Sequence, residues 1–338
     1  MTILQSGARS TRRPGATLAL LLGLAAADLF AAALPAAGQA YPARPIMIIV
    51  PFAAGGGNDV LARLLAQHMG ASLGQQMFVE NRAGAGGTVG ARAVAKAAPD
   101  GYTLMVGHSG VFAIAPSLYA TPGYDPRKDF SPVGLIGSFQ QILVVHPSVP
   151  VHSVAELIAL AKREPGKLTY ATAGVGSGSH LSTELFAGIA GIRLTHVPYR
   201  GTGAVLTDLI GGRVDMIITT LPSVIAAIRS GLLRAVAVTG ESRSPLFPDL
   251  PTFAESGVPG YVAVIHYGMV APAGLDSAVG ERLNRALNAA LADPQVRARI
   301  ADEGGEALPG TRDRQTRDID VEEIKWSALV RKLGIKVE

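Results

Sequence analysis

The sequence predicts an α/β protein whose parallel sheets are covered by helices. Two observations carry this: short β-prone runs alternate with helical patterns along most of the chain, and glycine-rich turns join strand to helix at two places. Length adds a third. The 298 residues left after an N-terminal leader exceed the size at which one core usually splits, so two lobes are expected.

The leader is residues 1–40. Arg9, Arg12 and Arg13 give a basic start, ATLALLLGLAAA an apolar middle, and Gly38-Gln39-Ala40 a small-x-small cleavage site before Tyr41. The apolar run, ended by Asp28, falls short of the roughly 20 residues that a membrane span needs, which favours a cleaved export signal over an anchor. Pro14-Gly15 after Arg12-Arg13 speaks against a twin-arginine signal.

Strands are expected at Ile46 to Val50, Gln76 to Glu80, Thr103 to Val106, Ile142 to Val145, Leu168 to Ala171, Arg193 to Val197, Met216 to Thr219, Leu233 to Thr239 and Val262 to Val270. Helical spacing links Leu61, Leu64, Leu65, Met69 and Leu73. It recurs in Val154, Leu157, Ile158 and Ala161, where Ser153 and Glu156 form a capping box. Ser277 to Leu291 and Val321 to Leu333, with Trp326 on its apolar side, continue the pattern; Thr311 to Asp320 is poorly periodic. Irregular, Pro/Gly-rich stretches at Tyr119 to Gly137 and Ser242 to Tyr261 mark two crossings between lobes. The first lobe is then residues 41–139 with 242–338, and the second 140–241.

The two glycine turns are the sharpest local feature. IMIIVPFAAGGGNDVLARLLAQHM (46–69) and LTYATAGVGSGSHLSTELFAGIA (168–190) each run strand, glycines, capping residues, helix. The free N–H groups of a helix start carry about half a positive charge, so each turn is a candidate anion seat that needs no basic side chain. Donors are expected from Gly55 to Asn58 and from Gly176 to Ser179.

Other chemistries fit poorly. Without residues 1–40 the chain keeps 27 basic and 25 acidic residues, a net charge of +2 with no basic cluster, so nucleic acid is not an expected partner. With no cysteine there are no disulfides, thiolate metal sites or thiol nucleophiles. GAGGTVG (84–90) has Val89 where a dinucleotide fingerprint needs glycine, and Gly55 to Asp59 lacks the Gly-Lys-Ser/Thr of a P-loop. Gly107-His108-Ser109-Gly110-Val111 misses the nucleophile-elbow spacing, and no pair among the seven histidines has metal-ligand spacing. No catalytic residue, metal or cofactor is expected, although a triad of Asp215, His180 and a serine keeps an exported hydrolase open. Asp59 and Asp215 would repel an anion; they are read as turn-fixing groups or as acceptors for a ligand's ammonium or hydroxyl. Arg200 is read either as a carboxylate partner or as a solvated loop charge.

From Tyr41 to Gly274 a collinear set of segments carries a resemblance: YPARPIMIIVPFAAGGGND, GQQMFVENRAGAGG, AAPDGYTLMVG, YDPRKDFSPV, SVAELIALAKREPGKLTYATAGVGSGSHL, HVPYRGTGAVLTDLIGGRVD and PDLPTFAESGVPGY. With these the chain resembles the Bug family of periplasmic solute-binding proteins, extracytoplasmic receptors of tripartite tricarboxylate transporters. The resemblance implies a type II periplasmic binding protein fold, two α/β lobes closing on a small carboxylate: mono-, di- or tricarboxylate. It implies a monomer in the periplasm, with membrane permease subunits or a sensor ectodomain as partner; an amino acid, amide or aromatic acid is the alternative ligand. By the same resemblance Phe52, Ala53, Ala54, Gly55, Gly56, Gly57, Asn58 and Asp59, with His108 and Ser109, line the cleft from the first lobe. Thr172, Gly176, Ser177, Ser179, His180, Tyr199 and Asp215 line it from the second. The chain departs from the family at Ala54, where proline is usual, and at Phe112, Ala115, Thr219 and His266-Tyr267.

Overall fold

Ile46, Ile48, Ile49 and Val50 are all buried, so the first strand is apolar on both faces, as a strand covered by helices on both sides requires. The structure is a computed structural model that describes Thr2 and residues 41–52, 54, 55, 57–199 and 202–335; the leader, apart from Thr2, lies outside the described residues. Contacts divide the chain between Ala43 and Arg44, and every element below belongs to the unit from Arg44 to Glu338.

The strands are β1 (Ile46–Val50), β2 (Met77–Asn81), β3 (Thr103–His108), β4 (Phe130–Val145), β5 (Thr169–Thr172), β6 (Thr195–Pro198), β7 (Met216–Thr220), β8 (Arg234–Val238), β9 (Val264–Pro272) and β10 (Gly305–Ala307). Their order is β2-β1-β3-β9-β4-β7-β5-β6, with β8 and β10 also on β4. The β2-β1-β3 and β7-β5-β6 groups pair parallel, as expected. Every pairing of β4 and β9 is antiparallel, so the sheet is mixed rather than purely parallel.

β4 is the main departure from expectation, because it starts at Phe130 instead of Ile142. Its first part, Phe130 to Gln140, lies on β9 from Pro272 to Val264, and its last part, Gln141 to Val145, lies on β7. Pro132, Gly134 and Gly137 make the first part look like a loop. They fall where the register slips, between Pro132 and Gly134 and between Leu135 and Gly137. Such irregularities are where strands tolerate these residues.

The helices are α1 (Gly57–Leu73), α2 (Thr88–Ala95), α3 (Ala115–Leu118, entered through a π-turn at Gly110–Ile114), α4 (Val154–Arg163), α5 (Gly178–Ala190), α6 (Thr202–Ile210), α7 (Leu221–Arg229), α8 (Ser277–Ala292), α9 (Pro294–Asp302) and α10 (Arg312–Leu333). None of them is long and apolar enough to cross a membrane, among the described residues. Ser153 caps α4, its Oγ accepting from Glu156 N, while the Glu156 carboxylate reaches one residue further back than a capping box and accepts from His152 N at 2.6 Å. α10 absorbs the poorly periodic stretch; Thr311 caps it, and the buried face includes Gln315 and Glu322, polar residues that hide the repeat.

The largest core gathers Leu143, Tyr170, Phe186, Ile218, Phe253 and Tyr261 with Trp326, Leu329 and Val330 from α10. Phe186 sits edge-on to Phe253 at 5.0 Å and to Tyr261 at 6.1 Å. Phe186→Ala removes this wedge from a fully buried site. We expect it to cost about 3–5 kcal/mol in a denaturant titration, by lost transfer energy plus a cavity; a cost near zero would show that the site collapses freely.

Candidate functional site

A cleft of about 520 Å³ lies among the two glycine turns, the end of β3, the end of β7, β9 and α10. This is where ligands are expected in open α/β sheets, beyond the carboxyl ends of the strands.

The first turn leaves β1 and enters α1. Gly55 has a φ of +83°, which favours glycine. The Asp59 carboxylate then fixes the turn from below: Gly55 N donates to Oδ2 at 2.9 Å, Asn81 Nδ2 to Oδ1 at 3.0 Å, and Arg63 pairs with it at 3.0 Å. The same Asn81 amide donates to Phe52 O at 3.1 Å, tying the start of the turn to its end. Burial alone would raise the Asp59 pKa, but Arg63, the Gly55 N–H and Asn81 outweigh it and hold the carboxyl below its ordinary value. Asp59 thus braces the turn. Phe52 emerges stacked on His108, ring centroids 4.5 Å apart.

His108 ends β3. Its Nδ1 accepts from Gly110 N at 2.9 Å, so the neutral ring carries its proton on Nε2. Ser109 Oγ accepts from His266 N at 3.0 Å, which fastens the loop to β9.

The second turn leaves β5 and enters α5 through a set of local bonds. Ala173 N donates to Ser179 Oγ (3.0 Å), Ser177 Oγ to Gly174 O (2.7 Å), and Gly176 N to His180 Nδ1 (3.0 Å). Gly176 has a φ of +74°, and a Cβ there would collide with the Leu118 side chain, so only glycine closes this turn. Behind it His180 stacks on His196 at 4.2 Å, and Thr172 Oγ1 lies 2.7 Å from His196 Nε2.

Of the residues expected at the site, Phe52, His108, Ser109, Gly176, Ser177 and Ser179 line the cleft. Gly57 stands at its edge, beside the Tyr267 hydroxyl. Ala54 and Gly55 are exposed outside it, Asn58 is buried, and Ala53, Gly56 and Arg200 lie outside the described residues. Thr172 and His180 support the second turn from behind rather than line the cleft. Tyr199 turns its hydroxyl to Asp208 at 2.8 Å. Asp215 is at the wrong end of the sheet: its carboxylate accepts from Thr169 N and Oγ1 at 2.7 and 2.8 Å, at the start of β5, about 10 Å of strand before the turn. The donor expectation also narrows. Gly55, Gly176 and Ser177 N–H are engaged within their turns, which leaves those of Gly57, Asn58, Gly178 and Ser179 without a partner among the described residues.

Sequence reasoning missed Leu118, Gln141, Thr220, Ile265, Tyr267 and Trp326, all lining the cleft. Thr220 alone had a usable signal, since it ends a strand that points at the site. No described Lys, Arg, Asp or Glu lines the cleft. Burial pushes His108 down to about 4, and burial with the neighbouring His196 does the same for His180. Both are neutral, and neither doubles as a cation.

Residues 61–335 match the family described as tripartite tricarboxylate transporter family receptor. Protein BugT of Bordetella pertussis is 42% identical over 308 residues, covering 90% of this chain and 94% of that one. Rpa4515 of R. palustris, solved with adipate, is 38% identical with a TM-score of 0.80 over 88% of this chain and 99% of its own. MatC of Rhodopseudomonas palustris, solved with bound malate, is 34% identical with a TM-score of 0.76, covering 86% of this chain and 100% of its own.

His108 and His180 are neutral in the folded protein, whereas unfolded imidazoles protonate near pH 6.5. Their stabilising contribution is therefore complete above that pH and lost as pH falls towards 4. We expect the thermal midpoint to drop across this window more steeply in the wild type than in a His108→Gln, His180→Gln double variant; equal slopes would remove these two residues from the acid response.

Proposed function

The chain belongs to the tripartite tricarboxylate transporter receptor family, a family of solute receptors rather than enzymes, and from this we propose that it is a periplasmic receptor for a small carboxylate. Residues 1–40 export it, and a membrane permease of the same transporter class receives its cargo. The cleft carries the reading: it is lined by the second glycine turn at a helix start and by Phe52 at the beginning of the first, with no charged described side chain. Helix-start N–H groups suit a carboxylate without a basic residue. Relatives solved with adipate and malate support the same ligand class.

In this reading residues 41–139 with 242–338 form one lobe and 140–241 the other, and the ligand favours closure because it touches both lobes only when they meet. Bonds to a charged group contribute about 1.5–3 kcal/mol each, so three or four support micromolar affinity, about −8 kcal/mol. Asp59 and Asp215 are both occupied by backbone N–H groups away from the cleft, which counts against recognition of a ligand's ammonium by either.

Calorimetry against mono-, di- and tricarboxylates, with one amino acid as control, tests the proposal. We expect at least one acid to bind with micromolar affinity and to shrink the radius of gyration in solution scattering. No heat and no compaction across the whole panel would end it. Two variants separate site from scaffold. Ser179→Ala loses the anchor of Ala173 and we expect affinity to fall about tenfold. Asp215→Ala is expected to lower the melting temperature while leaving affinity within twofold.

A further inference from the structure

The second turn rests on a group of aromatic rings. In the parallel β5–β6 pair Tyr170 stands opposite His196, and Thr172, two residues on from Tyr170, shares its face of the strand. His196 reaches both. Its ring lies 4.9 Å from that of Tyr170 and 15° off parallel, and its Nε2 is 2.7 Å from Thr172 Oγ1. The same ring lies 4.2 Å from that of His180, 8° off parallel. Tyr170 is itself fixed, because its hydroxyl donates to Glu184, one helical turn beyond His180 on α5. His196 is half-buried and is not among the residues that line the cleft.

Thr172 and His180 each hold one glycine of the turn. Thr172 Oγ1 accepts from Gly174 N at 3.3 Å, and His180 Nδ1 accepts from Gly176 N at 3.0 Å. Both glycines precede Ser177, the N-cap of α5, so their placement sets where the N–H groups of Gly178 and Ser179 point. Bonds linked in such a chain reinforce one another. A binding site also stays precise only where the groups at its surface are held by a layer behind them. An imidazole suits that layer here, since it stacks flat on His180 and bonds Thr172 through one nitrogen.

We propose that His196 is a positioning residue for solute binding: through Thr172 and His180 it holds both glycines of the second turn, and with them the start of α5, in the arrangement presented to the cleft. This rests on the receptor reading above. His196 itself lies off the cleft and acts only through these two residues.

The test uses the chain without its leader, calorimetry with adipate and malate as probes, and amide hydrogen exchange followed by NMR. His196→Phe keeps a flat ring against His180 and removes the bond to Thr172. We expect affinity for whichever acid binds to fall about fivefold. The Gly174 and Gly176 amides should exchange at least tenfold faster, with that of Ile217 in β7 unchanged. His196→Gln returns a donor and an acceptor near the Nε2 position, and should bring affinity and exchange back to within twofold of the wild type. His196→Leu, which also lacks the bond, takes the place of His196→Phe if that variant does not fold. Tyr170→Phe is the control for general loosening: it breaks the bond to Glu184 but keeps the ring, so we expect a lower melting temperature with affinity within twofold. The proposal is overturned if His196→Phe changes neither affinity nor exchange, if His196→Gln fails to restore them, or if Tyr170→Phe weakens binding as much as His196→Phe. If the wild type binds neither these acids nor the wider panel, the receptor reading falls, and the exchange measurements, which need no solute, decide whether His196 holds the turn.

Discussion

The antiparallel ladder between β4 and β9 holds the molecule together. It runs from Phe130 opposite Pro272 to Gln140 opposite Val264, with β3 on the outer side of β9 and with β7 and β8 taking over along the last residues of β4. Each cleft wall is attached to it. β3 delivers His108, β7 delivers Thr219 and Thr220, β9 itself contributes Ile265 and Tyr267, and β4 contributes Gln141. Because the side-chain period of a strand is two, a one-residue slip in this ladder would turn Tyr267 and Ile265 away and present their neighbours instead. The two slips that do occur lie at Pro132/Gly134 and Leu135/Gly137, and the register resumes cleanly by Gly137 opposite Tyr267.

Much of this was legible in the residues. Both glycine turns were visible because a positive φ and a helix start each leave a local chemical trace, and Ser177 caps α5 as its position suggested. The α/β class and the parallel groups followed from order and alternation, and the family from a collinear set of resembling segments. What escaped is non-local. Ser109 and His266 are 157 residues apart, and Gln141 and Ala263 are 122 apart, so no window of sequence shows them meeting. Two acids were misleading for a different reason. Asp59 and Asp215 look available, yet Asp59 is engaged by Gly55 N, Asn81 and Arg63, and Asp215 by Thr169 N and Oγ1. The first part of β4 was hidden by its own irregularities, and the first turns of α10 by Gln315 and Glu322 on its buried face.

The second turn shows how little latitude such a site has. Gly176 must be glycine for its dihedral and for Leu118, Ser179 must be short enough to catch Ala173, and His180 must stay neutral to accept from Gly176. These demands come from different elements and converge on a few residues, so substitutions there are expected to be non-additive. Trp326 joins the same region from α10, its indole N–H bonded to Glu322 at 2.8 Å. The C-terminal helix is therefore a wall of the cleft as well as part of the core.

The absence of formal charge from the described cleft walls has a kinetic side. Charged receptors draw oppositely charged solutes from a distance and lose that advantage as salt rises. A neutral cleft lacks that pull, so its own walls add no salt-dependent steering. Discrimination is then left to residence time, after arrival, through short-range bonds that either all form or do not. In the proposed role, such capture works equally well in dilute and in saline surroundings.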